Sequence, residues 1–171
     1  MRTFRLIFLA GFLALNAYGQ TDAGLLRFDG FTINGTGFNV KRDAGTVGGQ
    51  NPAAILYLTP TAGFAPNVNV LIQDFPGSIG DYVSTTKKEF ASAGITMLNE
   101  GSVSPIEWMV EYAGVLSGRS LHFYARAVKS GDKVYLTTGT ATPEQWDQFS
   151  SLLKQCVDSF ALTAKVPQPA Q

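Results

Sequence analysis

The sequence predicts an α+β sandwich, an antiparallel sheet of about six strands flanked by two main α-helices. Three observations lead there. Residues 106–141 hold two adjacent hairpin patterns, with apolar residues at every second position on either side of short Gly-containing turns. Two segments, after Ser78 and after Thr142, carry apolar residues at helical spacing behind strong start signals. Strand-like runs come before each helix. That order suits an antiparallel sheet with helices packed on it, not a doubly wound parallel fold.

The 171 residues, 45% hydrophobic and 15% charged, supply one ordinary core, so most of the chain is expected to be ordered. The first residues read as an address. Arg2 and Arg5 precede the apolar run Leu6 to Leu15, and Ala17-Tyr18-Gly19 places small residues where a signal peptidase cuts. Residues 1–19 are therefore expected to be a signal peptide, cleaved before Gln20. Ten apolar residues are too few to cross about 30 Å of hydrocarbon, so no stable membrane insertion is expected after cleavage. No Cys follows the run to take a lipid. Cleavage removes two arginines from a chain with 13 basic and 13 acidic residues, leaving a mildly acidic protein for an exported setting, periplasmic or secreted. The single domain is expected over residues 20–164 and a frayed polar tail over 165–171.

Between residues 20 and 52, Phe28, Phe31, Ile33, Phe38 and Val40 suggest one or two short strands among Gly35, Gly37, Gly45, Gly48 and Gly49. The glycines lack the Gly-Lys-Ser/Thr ending of a phosphate loop and the spacing of a dinucleotide fingerprint. Asn34-Gly35-Thr36 matches a glycosylation sequon, relevant in a eukaryotic source. Ala53 to Thr59 and Asn67 to Phe75 read as strands. In the second, Val68, Val70 and Ile72 oppose Asn67, Asn69 and Gln73, predicting one better-buried face and one wetter face.

Ser78 is an N-cap with Asp81 three residues on. Ile79, Tyr82, Val83, Thr86 and Phe90 then share one helical face, and Gly94 stops the helix. Ile95 to Val103 reads as a strand. Next, Ile106, Trp108, Val110 and Tyr112 alternate with Glu107, Met109, Glu111 and Ala113. A two-residue turn at Ser117-Gly118 would pair Leu116 with Arg119, Tyr112 with Phe123, Val110 with Ala125 and Trp108 with Ala127. A second turn at Gly131-Asp132 leads into Lys133–Ala141. The last helix begins at Thr142-Pro143-Glu144-Gln145, a capping box with proline at its first position. Trp146, Phe149, Leu152, Leu153, Cys156, Val157 and Phe160 form its apolar stripe.

The run Gly131-Asp132-Lys133-Val134-Tyr135-Leu136-Thr137-Thr138-Gly139-Thr140-Ala141, with a helix ending in Asp158-Ser159-Phe160, resembles the PsbP/DcrB-like superfamily of exported or organellar α/β sandwiches. The resemblance spans roughly residues 30–162 by topology and is close over only about the last forty. The family's Pro-and-Trp opening segment near residue 40 and its lipid-attachment Cys are absent. The resemblance implies a binding role: members include photosystem accessory subunits, phage-sensitivity lipoproteins, secretion-system chaperones and a Ran-GTPase-binding factor, which share protein partners and no common catalysis.

The residues themselves supply little chemistry. A balanced charge leaves no basic footprint for nucleic acid, and Lys87-Lys88 is too small a cluster for an anionic surface. One Cys and one His exclude a disulfide framework and multi-His or multi-Cys metal sites. The acidic residues lack calcium-loop spacing. No catalytic residue, metal ligand or cofactor site is therefore assigned. Cys156, on an apolar stripe, is expected to be a buried inert thiol. Trp108, Tyr112, Phe123, Trp146 and Phe149 are expected in the sheet–helix core. The candidate polar surface is Glu111, His122, Tyr124 and Arg126, a partly solvated strand face. There, His122 has Ala113 across and Glu111 diagonal, the imidazole–carboxylate pairing that acid–base work uses. Glu107 and Glu111 on one strand face are about 13 Å apart, long for direct cooperation. Three functions follow in order. The first is an exported non-enzymatic module binding another protein through its Gly-rich loops of residues 34–52 and its polar face. The second is a small-molecule or lipid carrier with a pocket between sheet and helix at Tyr57, Tyr82 or Tyr112. The third is a hydrolase using His122.

Overall fold

The computed structural model describes residues 24–41 and 51–163. The expected signal peptide (1–19), the tail (165–171), and Gly45, Gly48 and Gly49 lie outside the described residues. The elements, in chain order, are β1 (Leu25–Phe28), β2 (Phe31–Asn34), β3 (Asn39–Lys41), β4 (Ala54–Tyr57), β5 (Asn67–Asp74), α1 (Ile79–Ser92), β6 (Thr96–Ser104), β7 (Glu107–Leu116), β8 (Arg119–Ser130), β9 (Lys133–Ala141), α2 (Pro143–Asp158) and β10 (Ala161–Leu162). Seven strands form one sheet in the order β3-β4-β5-β9-β8-β7-β6, and β1-β2-β10 form a small second sheet. Every pairing in both sheets is antiparallel. The seven-stranded sheet agrees with the expected α+β sandwich. The one or two short strands expected before residue 41 are three.

The β7–β8 hairpin has the predicted register: Leu116 pairs with Arg119, Tyr112 with Phe123, Val110 with Ala125 and Trp108 with Ala127. Its turn residues Ser117 and Gly118 both have positive φ, 50° and 76°. That is the left-handed conformation a two-residue turn needs to match the twist of its strands. The β8–β9 turn at Gly131-Asp132 closes with Ser130 opposite Lys133. A third hairpin, with Ser104 opposite Glu107, adds β6, so the expected three-stranded meander has four strands.

Both helices begin as their sequences dictate. The Ser78 and Thr142 side chains accept from the backbone N–H groups of Asp81 and Gln145, whose own side chains accept from the cap N–H groups. Helix α1 buries Tyr82, Thr86 and Phe90, the predicted stripe. Helix α2 buries Trp146, Leu153, Cys156 and Val157.

The helices cover opposite faces of the sheet. Tyr82 and Phe90 of α1 pack with Trp108, Val110, Tyr112, Leu121, Phe123 and Ala125. Trp146, Leu153, Cys156 and Val157 of α2 pack with Ala54, Leu56, Val68, Val70, Tyr124 and Val128. This divides the aromatic group expected in one interface: Trp108, Tyr112 and Phe123 face α1, whereas Trp146 and Phe149 belong with α2. It also corrects the expected wet face of β5. Asn67 and Asn69 are buried and Gln73 is half-buried, whereas Ile72, on the expected buried side, is exposed. A strand in the middle of a sheet covered on both sides has no wet face, whatever its alternation suggests.

Candidate functional site

The expected polar residues form a seam between the sheet and α2. Residues His122, Tyr124 and Arg126 alternate along β8, so all three point to the side away from Phe123 and Ala125, which is the α2 side. Across the hairpin, Ala113, Glu111 and Met109 are their respective partners. The expected partly solvated surface is thus largely roofed: the His122 and Glu111 side chains are 18% and 16% exposed.

Glu111 is the hub. One carboxylate oxygen meets His122 Nε2 at 2.9 Å and the other accepts from Lys154 Nζ at 2.8 Å. Burial pushes the Glu111 carboxyl upward, but the hydrogen bonds from Lys154 and His122 outweigh it and hold the group below the usual carboxylate range. The imidazole of His122 lies flat on the Trp146 indole, 3.9 Å between centroids and 11° between planes. The Lys154 ammonium sits 5.3 Å from the Tyr124 ring centroid and 5.7 Å from that of Trp146, within cation–π range.

Farther along, Tyr124 donates its hydroxyl to Asp158 Oδ1 at 2.8 Å. Burial, the hydrogen bond and the Asp158 charge all push the phenol above its ordinary pKa. Arg126 donates to the backbone oxygens of Asp158 (2.9 Å) and Phe160 (3.1 Å), and to Glu107 Oε2 at 2.7 Å. Helix α2 has no basic residue in its own last turn. Arg126 of the sheet thus supplies the cation that favours the negative end of the helix dipole and satisfies a terminal carbonyl.

Chemically, the arrangement ties a helix down. Glu107 and Glu111, considered as a carboxylate pair, are instead each bound to a cation, Arg126 and Lys154 respectively. Among the described residues, no group of three or more His, Cys, Asp or Glu side chains comes together to hold a metal ion. Cys156 is buried, and desolvation pushes its thiol up to about 12. The sequence reading missed Lys154 and Asp158. They lie four residues apart, at the margin of the α2 stripe, and become part of the seam only once α2 is assigned to the His122 side of the sheet.

Two of the three carrier tyrosines fill core. Tyr112 is sandwiched between Phe90 and Phe123, each at 4.6 Å between centroids. Tyr82 packs edge-on against Phe75 at 5.2 Å and donates to Gln73. Tyr57 is buried and faces a different, polar neighbourhood. Surface grooves lie elsewhere: one of about 210 Å³ beside Asn34, Leu152 and Cys156, and one of about 890 Å³ beside Asp29, Ile72 and Tyr135.

At the far edge of the meander, β6 is exposed for most of its length. Its ladder with β7 is interrupted between Met97 and Asn99 and between Ser102 and Ser104, leaving Leu98 and Val103 as extra residues. With Ile106 in the next turn and Val115 on β7, they are 49–67% exposed. Bulges of this kind disrupt an edge for strand-on-strand pairing, so apolar side chains, rather than a regular row of backbone groups, are what β6 offers.

A sheet with one helix per face, and a small accessory sheet whose Phe31 and Ile33 join the α2-side core, is an α/β sandwich. The chain is similar to cyanobacterial PsbP (CyanoP) from Synechocystis sp. PCC 6803, at 17% identity and a TM-score of 0.56, over 88% of this chain and 99% of the other. It is similar in the same degree, 17% identity and a TM-score of 0.56, to PA94, a protein of unknown function from Pseudomonas aeruginosa, over 78% of this chain and 99% of that one. These likenesses concern fold alone. No family model matches the chain, and no curated protein matches it. No helix among the described residues is long and apolar enough to cross a membrane.

Proposed function

We propose that the chain is an exported, non-enzymatic module that acts by binding another protein. The observation carrying this reading is the contrast between its spent polar groups and its unspent apolar ones. Glu111, His122, Tyr124 and Arg126 are all engaged in holding α2, whereas Leu98, Val103 and Ile106 are exposed along the β6 edge. Exposed apolar side chains strung along one sheet edge offer a contact surface. The stacking of His122 on Trp146 and its bond to Glu111 support a structural role for the one imidazole. The N-terminal address read in the sequence supports export.

Photocrosslinking in the native compartment tests this. A crosslinker at Leu98 or Val103 is expected to give one discrete protein adduct, and a control crosslinker at exposed Glu144 none. Equal labelling from both positions would count against the reading. So would turnover of a substrate by purified protein that is lost in His122→Ala. Export is tested separately, by a mature N-terminus at Gln20.

A further inference from the structure

Helix α2 stops short of the end of the sheet it covers. Arg126, which bonds the Asp158 carbonyl at the helix end, lies in a row with Thr137 and Val70. The next row on that face is Val128, Tyr135 and Ile72, and the one after it Ser130, Lys133 and Asp74. The chain meanwhile passes from α2 into β10, which pairs with β2 and not with the large sheet. A groove of about 890 Å³ is left there, lined by Ile72 and Tyr135 of the sheet, Leu162 of β10, Asp29 of the β1–β2 turn and Asp132 of the β8–β9 turn. The β1–β2 turn comes close to the sheet at this point: a Cβ on Gly30 would stand 3.6 Å from the Tyr135 hydroxyl. The volume falls in the range of about 300–1,000 Å³ usual for small-molecule sites.

The groove combines apolar surface with an excess of negative charge. Ile72 is 38% exposed although β5 is an interior strand, and Tyr135 and Leu162 are half-buried beside it. The carboxylates of the lining are Asp29, Asp74 and Asp132, and its one cation is Lys133, a net charge of −2. Lys133 is already engaged by Asp74 at 2.7 Å. Lys129, which starts from the other face of the sheet, donates to the Gly131 carbonyl. Asp29 and Asp132 are exposed and have no ion-pair partner among the described residues.

Those features select a ligand. Two unanswered carboxylates in one groove call for a ligand with two positive charges. A hydrated metal dication would leave Ile72 and Leu162 facing water. An alkyl diamine matches both parts of the lining, because its ammonium groups donate to carboxylates and its methylene stem covers apolar surface, as the stem of a lysine does. We propose that this groove binds an alkyl polyamine, with ammonium groups at Asp29 and Asp132 and the methylene stem over Ile72, Tyr135 and Leu162. The site is separate from the β6 edge, and it stands or falls independently of the protein-binding role.

The test is a titration of the isotope-labelled full chain at low ionic strength with 1,4-diaminobutane and, separately, spermidine, followed through backbone amide signals. Saturable shifts confined to the two turns and the end of β10, at Gly30, Gly131, Asp132 and Thr163, are expected. Uncharged 1,4-butanediol, of the same length, is expected to shift none of them. Asp29→Asn and Asp132→Asn, both at exposed turn positions, are each expected to weaken diamine binding by about threefold or more. Asp147→Asn, at an exposed position on α2, is expected to leave it unchanged. Signals that stay still with both amines would overturn the proposal, as would equal affinity in the two turn variants and the parent chain. Magnesium ions shifting the same signals at the same concentrations would overturn it too, since the groove would then hold a diffuse counterion only. So would a lysine-containing peptide that binds where the amines do not, which would give the groove to a protein partner.

Discussion

The two helices of this protein are held to the same sheet by different physics. Beneath α1 the contact is aromatic and apolar: Phe90 on Tyr112 on Phe123, with Trp108 alongside. Beneath α2 an apolar stripe is joined to a charged seam, in which Lys154, Glu111 and His122 form one chain and Glu107, Arg126 and the α2 C-terminus form another. Both come from alternate residues of the same hairpin, β7–β8. A strand covered on both sides can therefore carry a polar face into the interior, provided the covering element brings matching partners.

The comparison breaks most severely on the α1 side. Phe123→Ala removes a fully buried ring from the stack and should cost about 3–5 kcal/mol, read as a lower denaturation midpoint in urea. A loss much below that range would mean the aromatic stack relaxes into the space.

Removing the seam's hub should cost less. Glu111→Ala leaves His122 and Lys154 without their acceptor and should destabilise the fold by about 1–3 kcal/mol, since both partners keep some access to water. The same carboxylate sets a pH dependence. Its pKa is lower in the folded than in the unfolded chain. Its contribution is therefore fully present above the unfolded value and is lost as pH falls through the folded one. Wild-type stability should decline through the acid range, and Glu111→Gln should flatten that decline in thermal melts at stepped pH. An unchanged slope would show that the seam does not couple to protonation.

Thr142→Ala removes the N-cap of α2 and should cost about 1 kcal/mol. The matching Ser78→Ala at α1 should give a similar result in the same thermal melt, because both caps are built alike. Unequal losses would separate the helices by their caps as well as by their seats. The smallest effect should come from Lys133→Ala. Its ion pair with Asp74, 2.7 Å long, is open to solvent, so the melting temperature should not move measurably.

Much of the fold is legible residue by residue. Ser117-Gly118 and Gly131-Asp132 set two hairpins, and the alternation around Trp108 and Phe123 allows one register only, since a slip of one residue would turn every apolar side chain to the wrong face. The capping boxes at Ser78 and Thr142 mark both helix starts. Less legible was what each helix covers. Asn67 and Asn69 read as wet because they alternate with valines, yet β5 lies at the middle of the sheet, where strand order leaves them no solvent. Strand β10 has two residues and no pattern of its own, and it exists because β2 offers an edge. Of the candidate polar residues, Glu111 and His122 were foreseen as neighbours through the register, whereas Lys154 and Asp158 lie 43 and 34 residues along the chain from the Glu111 and Tyr124 they bond.

By itself the sequence determined the local elements, the hairpin registers and the absence of a familiar catalytic motif. Turn residues, caps and periodicity act over a few residues, and one chain of letters carries them completely. Only the tertiary structure decided that the helices lie on opposite faces, that the polar stripe of β8 is roofed by α2, and that a groove opens past the end of α2. Those outcomes depend on strand order and on which face each helix finds. Both are set by how distant apolar stripes and charges fit together in space, and no spacing along the chain records that.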